Sequence, residues 1–139
     1  MARVDNGDTS AKIRREMGVT MNDYVAVFRT VEGMVTARKK LHDLKERYQR
    51  VPVQDKGRVF NTNILFVLEL GFMLDCAETI VASALERKES RGAHTRTDMP
   101  ERHDDDWLKH ITIAWGPEEP TIDYLPVVIT QWAPEARVY

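Results

Sequence analysis

The chain has 139 residues, of which 42% are hydrophobic and 30% are charged, and its formal net charge at pH 7 is −2. These values are typical of a single globular domain. The net charge is slightly negative, whereas many nucleic-acid-binding proteins carry a strongly positive net charge. The single cysteine, Cys76, excludes an internal disulfide and a cysteine-based zinc site.

Residues 1–8 lack the apolar core of a signal peptide, and they are predicted to be a disordered lead-in. Thr9 or Ser10 is expected to cap the first helix. Gly18 is a position at which this helix can break or bend. Apolar residues then recur every three or four positions, which aligns them on one face: Ile13, Met17, Met21, Val25 and Phe28.

The second predicted helix alternates apolar spacings of three and four and carries charged residues on its other face. Glu32, Asp43 and Glu46 interrupt the lysines and arginines, so the charged face is interpreted as solvated and not as a nucleic-acid surface. Pro52 is expected to end this helix. The apolar positions are Met34, Ala37, Leu41, Leu44, Tyr48 and Val51.

The third predicted helix spans roughly residues 58–89, and apolar residues surround it, which predicts burial on most sides. Polar residues interrupt every apolar run, which argues against a transmembrane span. Cys76 lies within this helix and is predicted to be a buried, inert thiol. A three-helix antiparallel bundle over residues 9–89, with the third helix central, is the simplest architecture.

The helical pattern stops after Glu89, and residues 90–110 are predicted to form a charged, irregular connector. Its three consecutive aspartates, Asp104 to Asp106, are expected to open a short helical turn. Residues 111–139 are predicted to form a β-hairpin and an extended tail. The predicted fold class is therefore mainly α, with one domain over residues 9–139.

The turn from Ser90 to His94 combines a guanidinium and an imidazole, which suits holding a carboxylate or a flavin edge. The alternative is structural: Arg91 and Arg96 pair with Glu89 and Asp98 to fix an irregular loop. The residues alone favour the structural interpretation, because ion-pair networks outnumber functional sites.

Metal binding, nucleophilic catalysis and dinucleotide binding have weaker support from the sequence. The ligand-type residues His94, His103 and His110 lie near the three aspartates, but no HExxH motif or calcium loop is present. The serines lack the nucleophile-elbow motif, and no Gly-x-Gly-x-x-Gly fingerprint occurs. No catalytic, cofactor-binding or metal-ligating residue is assigned.

The connector carries a resemblance to a known family. The residues concerned are Glu89-Ser90-Arg91-Gly92-Ala93-His94, then Arg96, Asp98, Pro100-Glu101-Arg102 and Trp107-Leu108-Lys109-His110. They resemble the C-terminal region of the flavoprotein subunit of succinate dehydrogenases and fumarate reductases. Weaker similarity covers the whole chain and includes its Pro134-x-x-Arg137-x-Tyr139 ending. In that family the region is the last domain of a longer polypeptide, so the chain is expected to be a fragment that is inactive alone.

The resemblance implies a parent enzyme that interconverts succinate and fumarate at FAD and passes electrons through iron–sulfur clusters of a partner subunit toward quinone. It implies contact with the flavin-binding domain of the same polypeptide and with the iron–sulfur subunit, indirect contact with membrane anchor subunits, and a cytoplasmic location at the inner face of the membrane. FAD is not expected to bind this chain alone, and nucleic acid is not an expected partner. The expected contact residues are Arg91, His94, Arg96, Arg102 and His110, with Glu89, Asp98 and Glu101 orienting them.

Two alternatives remain at this point. L-aspartate oxidases have a similar Glu-Ser-Arg-Gly-x-His turn, usually with leucine in place of Ala93. A free-standing helical interaction module is the alternative from a different functional class. The resemblance does not indicate the direction of the parent reaction.

Overall fold

A computed structural model describes residues 7–116 and 119–135 of the chain. Three long helices form most of it: α1 spans Ser10–Val25, α2 spans Val31–Tyr48 and α3 spans Thr62–Glu86. Each of the three packs against the other two. The predicted mainly-α fold class is confirmed.

Each long helix begins at a side chain that caps its first turn. Thr9 Oγ1 accepts a hydrogen bond from Lys12 N at 3.1 Å, and Thr30 Oγ1 accepts one from Gly33 N at 3.1 Å. These bonds satisfy backbone donors that have no partner inside the helix. Asn61 Oδ1 does the same for α3, which therefore begins at Thr62 and not near residue 58. α1 runs through Gly18 without a break.

The core lies between the three helices. The predicted apolar faces of α1 and α2 point into it, with one exception. Phe28 is 73% exposed, because α1 ends at Val25 and Phe28 leaves the helical face to enter a short strand. The buried core residues are Ile13, Met17, Val25, Ala37, Leu41, Leu44, Val51, Leu70, Leu74, Ala77 and Val81.

α3 is buried along one stripe only, which corrects the prediction that it is covered on most sides. The stripe repeats at helical spacing and consists of Leu70, Leu74, Ala77, Val81 and Ala84. The helices α1 and α2 pack against one side of α3, and β3 makes a smaller contact with it. The other side carries four apolar residues that we call the α3 apolar face: Ile64, Leu65, Leu68 and Phe72, which are 45%, 53%, 51% and 68% exposed.

Short strands complete the described fold. β1 (Phe28–Arg29) pairs in parallel with β2 (Thr95–Arg96), which joins the connector to the segment between α1 and α2. The sequence did not predict this pair. α4 spans Asp104–Trp107, which confirms the short turn begun by three aspartates.

β3 (Lys109–Ala114) and β4 (Thr121–Pro126) form the predicted antiparallel hairpin, with Ile111 opposite Tyr124. Positions 117 and 118 of its turn lie outside the described residues, as do residues 136–139 of the predicted tail.

Asp8, which the sequence prediction assigned to the lead-in, is 5% exposed and accepts a hydrogen bond from Arg47 Nη2 at 2.8 Å. The Arg47 hydrogen bond is the main cause that lowers the pKa of Asp8 to about 2. Residues 1–6 of the predicted lead-in lie outside the described residues.

None of the helices formed by residues 7–116 and 119–135 combines the length and the apolar character needed to cross a membrane.

Candidate functional site

The buried carboxylate of Glu89 organises the start of the connector. Glu89 is 0% exposed. Its Oε1 accepts hydrogen bonds from Arg87 Nη1 and Arg91 Nε, both at 2.7 Å. Its Oε2 accepts from His103 N at 2.7 Å and from Arg91 Nη2 at 3.2 Å. A buried charge must be paired and hydrogen-bonded, and Glu89 meets both conditions.

The pKa of Glu89 lies below its ordinary value, although burial alone acts to raise it. The hydrogen bonds from Arg91, from the backbone of His103 and from Arg87 act in the opposite direction and together outweigh the burial. Glu89 is therefore ionised at neutral pH and holds three parts of the chain together.

Arg91 extends this network to α4. Its Nη2 donates to Asp104 Oδ1 at 2.6 Å, and Arg102 Nη2 donates to Asp104 Oδ2 at 2.7 Å. The hydrogen bond to Glu89 is the main cause that raises the pKa of Arg91. Arg102 Nη1 also donates to the carbonyl of Glu135 at 2.7 Å, which attaches the tail to the connector. The guanidinium of Arg91 is thus held by two carboxylates of its own chain.

Arg96 and Asp98 form the second ion pair of the connector. Arg96 Nε and Nη2 donate to the two carboxylate oxygens of Asp98, each at 2.8 Å. Both ion pairs of the structural interpretation, Arg91 with Glu89 and Arg96 with Asp98, are therefore present. Arg96 is 0% exposed, so it supports the connector from inside, which corrects its placement among the expected contact residues.

The turn between these pairs places His94. Two backbone hydrogen bonds between Arg91 and His94, of 2.9 and 3.0 Å, close it. Gly92 has a φ of +60°, a backbone conformation that favours glycine. Ser90 Oγ accepts from Arg96 N at 2.8 Å and donates to the carbonyl of Met99 at 2.8 Å, which fixes the base of the turn.

Arg29 lies beside His94 and was not identified from the sequence. Its Nη1 donates to His94 Nδ1 at 2.7 Å, across 65 positions of sequence. The parallel pairing of β1 with β2 produces this contact, because Thr95 N donates to the carbonyl of Val27 at 3.2 Å. Arg87 was also missed, although the charged run at residues 86–89 was a signal for it.

The remaining predicted residues lie around this network. Glu101 is exposed and contributes its backbone carbonyl, which accepts from Ser90 N at 2.9 Å. His110 is exposed on β3 and lines a cleft together with Arg29 and His94. The structure therefore groups Glu89, Arg91 and Arg102 around Asp104, and it places the two histidines on the cleft.

Two further observations concern reactive groups. Within residues 7–116 and 119–135, no cluster of three or more histidine, cysteine, aspartate and glutamate side chains is arranged to hold a metal ion. Cys76 is a free, exposed thiol, which corrects the expectation of a buried one. It lies outside the buried stripe of α3, because its position on the helix is rotated away from Leu74 and Ala77.

The α3 apolar face is the second candidate surface, and sequence analysis missed it. Its residues at positions 64, 68 and 72 recur every fourth residue and so line about two turns of one helix side. Phe60, just before α3, is 95% exposed and has a φ of +52°, which is uncommon for a bulky side chain. This part of the chain presents large apolar groups to water.

Comparison with known proteins identifies the family. The sequence profile described as "Fumarate reductase flavoprotein C-term" matches residues 14–139. The chain belongs to this family. The resemblance found in the connector is therefore confirmed, and the chain corresponds to the C-terminal domain of these flavoprotein subunits.

The relatives of this domain are much longer chains. The fumarate reductase flavoprotein subunit of Haemophilus influenzae is 46% identical over 137 residues, which cover 97% of this chain and 23% of that subunit. The succinate dehydrogenase flavoprotein subunit of Rickettsia conorii is 38% identical over 122 residues, covering 86% and 20%. A chain of the Escherichia coli quinol fumarate reductase matches in structure with a TM-score of 0.90 and 42% identity, covering 96% of this chain and 23% of that one. This chain thus spans less than a quarter of the length of these relatives.

Proposed function

We propose that this domain braces the flavin-binding part of a longer flavoprotein chain, in an enzyme that interconverts succinate and fumarate. FAD is held by the rest of that chain, and iron–sulfur clusters in a partner subunit carry electrons toward quinone. The membrane anchor subunits of the parent complex are linked to the domain only through other parts of the complex. They keep it at the cytoplasmic face of the membrane. The relatives named as fumarate reductase and succinate dehydrogenase flavoprotein subunits support this proposal.

The α3 apolar face carries the bracing role. Its four side chains are between 45% and 68% exposed, on a helix whose opposite side fills the core. Clustered exposed apolar residues mark interfaces with other domains or proteins. The remainder of a flavoprotein chain is the favoured occupant, because a covalently linked domain is present at a high effective concentration.

The connector supplies a second, polar contact surface. The side chains of Arg91 and Arg102 are 26% and 29% exposed, so each offers part of its guanidinium to a neighbour. Glu89 and Asp104 hold both groups in place, which lowers the entropy lost on binding. We assign this polar surface to contact with the iron–sulfur subunit.

FAD is assigned to the rest of the parent chain, since this sequence lacks the glycine-rich dinucleotide fingerprint. The visible spectrum of the purified chain tests that assignment. We expect no flavin absorbance and no succinate oxidation by the chain alone. Flavin retained through purification would contradict the assignment.

The bracing role is tested in the parent flavoprotein by the double variant L65D/F72D, which places two carboxylates on the α3 apolar face. We expect less assembled, flavin-containing enzyme, while the KM for succinate of the surviving fraction stays unchanged. The matched control is Val19→Asp on α1, since Val19 is also an exposed apolar helical residue, at 50% exposure. Equal yields of assembled enzyme from the double variant and the control would sink the proposal.

A further inference from the structure

A surface cleft of about 390 Å³ lies between the carboxyl-terminal half of α3, the β1–β2 pair and β3. Its charged lining consists of Arg29 and Arg87, and two imidazoles, His94 and His110, also line it. Within the part of the chain that the structure describes, no aspartate or glutamate lines this cleft. The composition of the lining favours an anionic ligand.

The contact between Arg29 and His94 fixes the tautomer of the imidazole. Arg29 Nη1 and His94 Nδ1 are 2.7 Å apart, and a guanidinium is only a donor. Nδ1 must therefore accept, which places the proton of the neutral ring on Nε2. Burial is the main cause that lowers the pKa of His94, and the charge of Arg29 adds to it. The ring is therefore neutral at pH 7 and carries an Nε2–H donor.

This donor is unsatisfied. His94 Nε2 is buried and has no hydrogen-bond partner among residues 7–116 and 119–135. The carbonyl of Arg87 acts on the ring and raises its pKa against burial and the charge of Arg29. That oxygen accepts from Arg96 Nη1 at 3.0 Å, and it forms no bond to Nε2 within hydrogen-bonding geometry. A buried donor without an acceptor is rare in folded proteins, and an absent ligand is one explanation for it.

Arg29 brings an uncompensated positive charge to the same place. Its Nε donates to the carbonyls of Val25 and Ala26, at 3.1 and 2.7 Å, and its Nη1 donates to His94. These bonds leave Nη2 for another acceptor. No carboxylate of the described segments forms an ion pair with Arg29, and burial lowers its pKa. Arg87, on the other side of the cleft, is neutralised by Glu89 at 2.7 Å.

We propose that this cleft is a carboxylate-binding site, in which Arg29 Nη2 donates to the carboxylate and His94 Nε2–H is a separate donor on the other side of the imidazole ring. A guanidinium with a free N–H group matches the acceptor oxygens of a carboxylate. The cleft volume exceeds that of several water molecules, each of about 30 Å³ in the liquid, so a small organic acid or an acidic side chain fits. The inference does not rest on the proposed function, because every donor belongs to this chain.

The test is an NMR titration of the histidine ring nitrogens of the chain at pH 7. Sodium acetate is added against sodium chloride at matched ionic strength. We expect a saturable shift of the His94 Nε2 resonance with acetate and none with chloride, while His42, exposed on α2, serves as the internal control. Two capped tripeptides, Ala-Glu-Ala and Ala-Gln-Ala, separate the sources. Tighter binding of the glutamate peptide than of acetate assigns the site to a protein side chain, and the reverse assigns it to a free small acid.

Two variants make the result decisive. Arg29→Gln is expected to abolish the acetate shift, but it also removes bonds to the end of α1. Ile80→Glu avoids that problem, because Ile80 lines the cleft on α3 and is 47% exposed. Because Ile80 is exposed, we expect this variant to fold normally. The new carboxylate lies within the chain, so we expect it to shift the His94 Nε2 resonance without acetate and to abolish the response to acetate. A His94 resonance that ignores acetate and both peptides in the unaltered chain would overturn the proposal.

Discussion

The carboxylate of Asp98 and the guanidinium of Arg96 form two parallel hydrogen bonds of 2.8 Å, and the Arg96 side chain is only 1% exposed. Asp98 Oδ2 also accepts from Val31 N, at 3.3 Å, in the first turn of α2. The pair therefore joins the connector to the start of a bundle helix. A carboxylate at that position also interacts favourably with the helix dipole.

This pair predicts a loss of stability in acid. The hydrogen bonds from Arg96 are the main cause that lowers the pKa of Asp98 to about 2, from an ordinary value of 3.8. The folded chain thus binds this proton less readily than the unfolded chain. The stabilisation is complete above about pH 4 and is lost as the pH falls through about 2. Asp8, paired with Arg47, acts in the same direction.

Urea unfolding between pH 5 and pH 2 measures this effect. We expect the free energy of unfolding of Asp98→Asn to fall less over that range than that of the unaltered chain. Asp105→Asn, a change at an exposed aspartate of α4, is the control and is expected to follow the unaltered chain. Identical pH profiles for the unaltered chain and Asp98→Asn would show that the pair does not stabilise the fold.

Glu89→Gln is predicted to be strongly destabilising, because Arg87 and Arg91 lose the buried anion between them. Removing one member of a buried charged group costs about 3–5 kcal/mol, and the amide that remains accepts through only one oxygen. Glu101→Gln is the matched control, since Glu101 is exposed and uses its backbone carbonyl. Its cost is expected to stay within about 0.5 kcal/mol. Equal urea midpoints for the two variants would contradict the anchoring role of Glu89.

Local patterns predicted much of this fold and part of the site. The faces of α1 and α2 follow from apolar spacing, and the pairs Arg91–Glu89 and Arg96–Asp98 follow from charges two positions apart. The Arg29 contact with His94 did not follow, because a separation of 65 positions leaves no local signal. The burial of α3 on most sides was mispredicted, because the apolar residues of a helix show how much of its surface needs to be covered but not which neighbouring elements cover it.

Leu74 and Phe72, two residues of α3 that differ in exposure, should respond differently to truncation to alanine. Leu74 is 1% exposed in the core, and Leu74→Ala is expected to cost about 2–5 kcal/mol. Phe72 is 68% exposed, and Phe72→Ala is expected to change stability by about 0.5 kcal/mol or less. Exposed apolar patches favour association, so we also expect any self-association of the isolated chain, measured by sedimentation velocity, to be weaker for Phe72→Ala, which lacks the largest side chain of the α3 apolar face. Unfolding costs of similar size for the two variants would place Phe72 in the core instead.

Two helical glycines are predicted to respond to alanine with opposite signs. A Cβ at Gly71 would lie 2.6 Å from the hydroxyl oxygen of Tyr48 and 3.0 Å from Cζ, so the ring of Tyr48 must move. Overpacking of this kind costs about 1–3 kcal/mol and the gain in helix propensity is about 1 kcal/mol, so we expect a net loss of stability of up to about 2 kcal/mol. Gly18 lies in α1 with nothing within 4 Å of its Cβ position, so Gly18→Ala is expected to stabilise by about 1 kcal/mol.

Tyr48→Phe removes the shortest contact, so Gly71→Ala should cost less in that background. An unchanged cost in the Tyr48→Phe background, measured by a double-mutant cycle, would show that this contact does not limit the packing of α2 on α3.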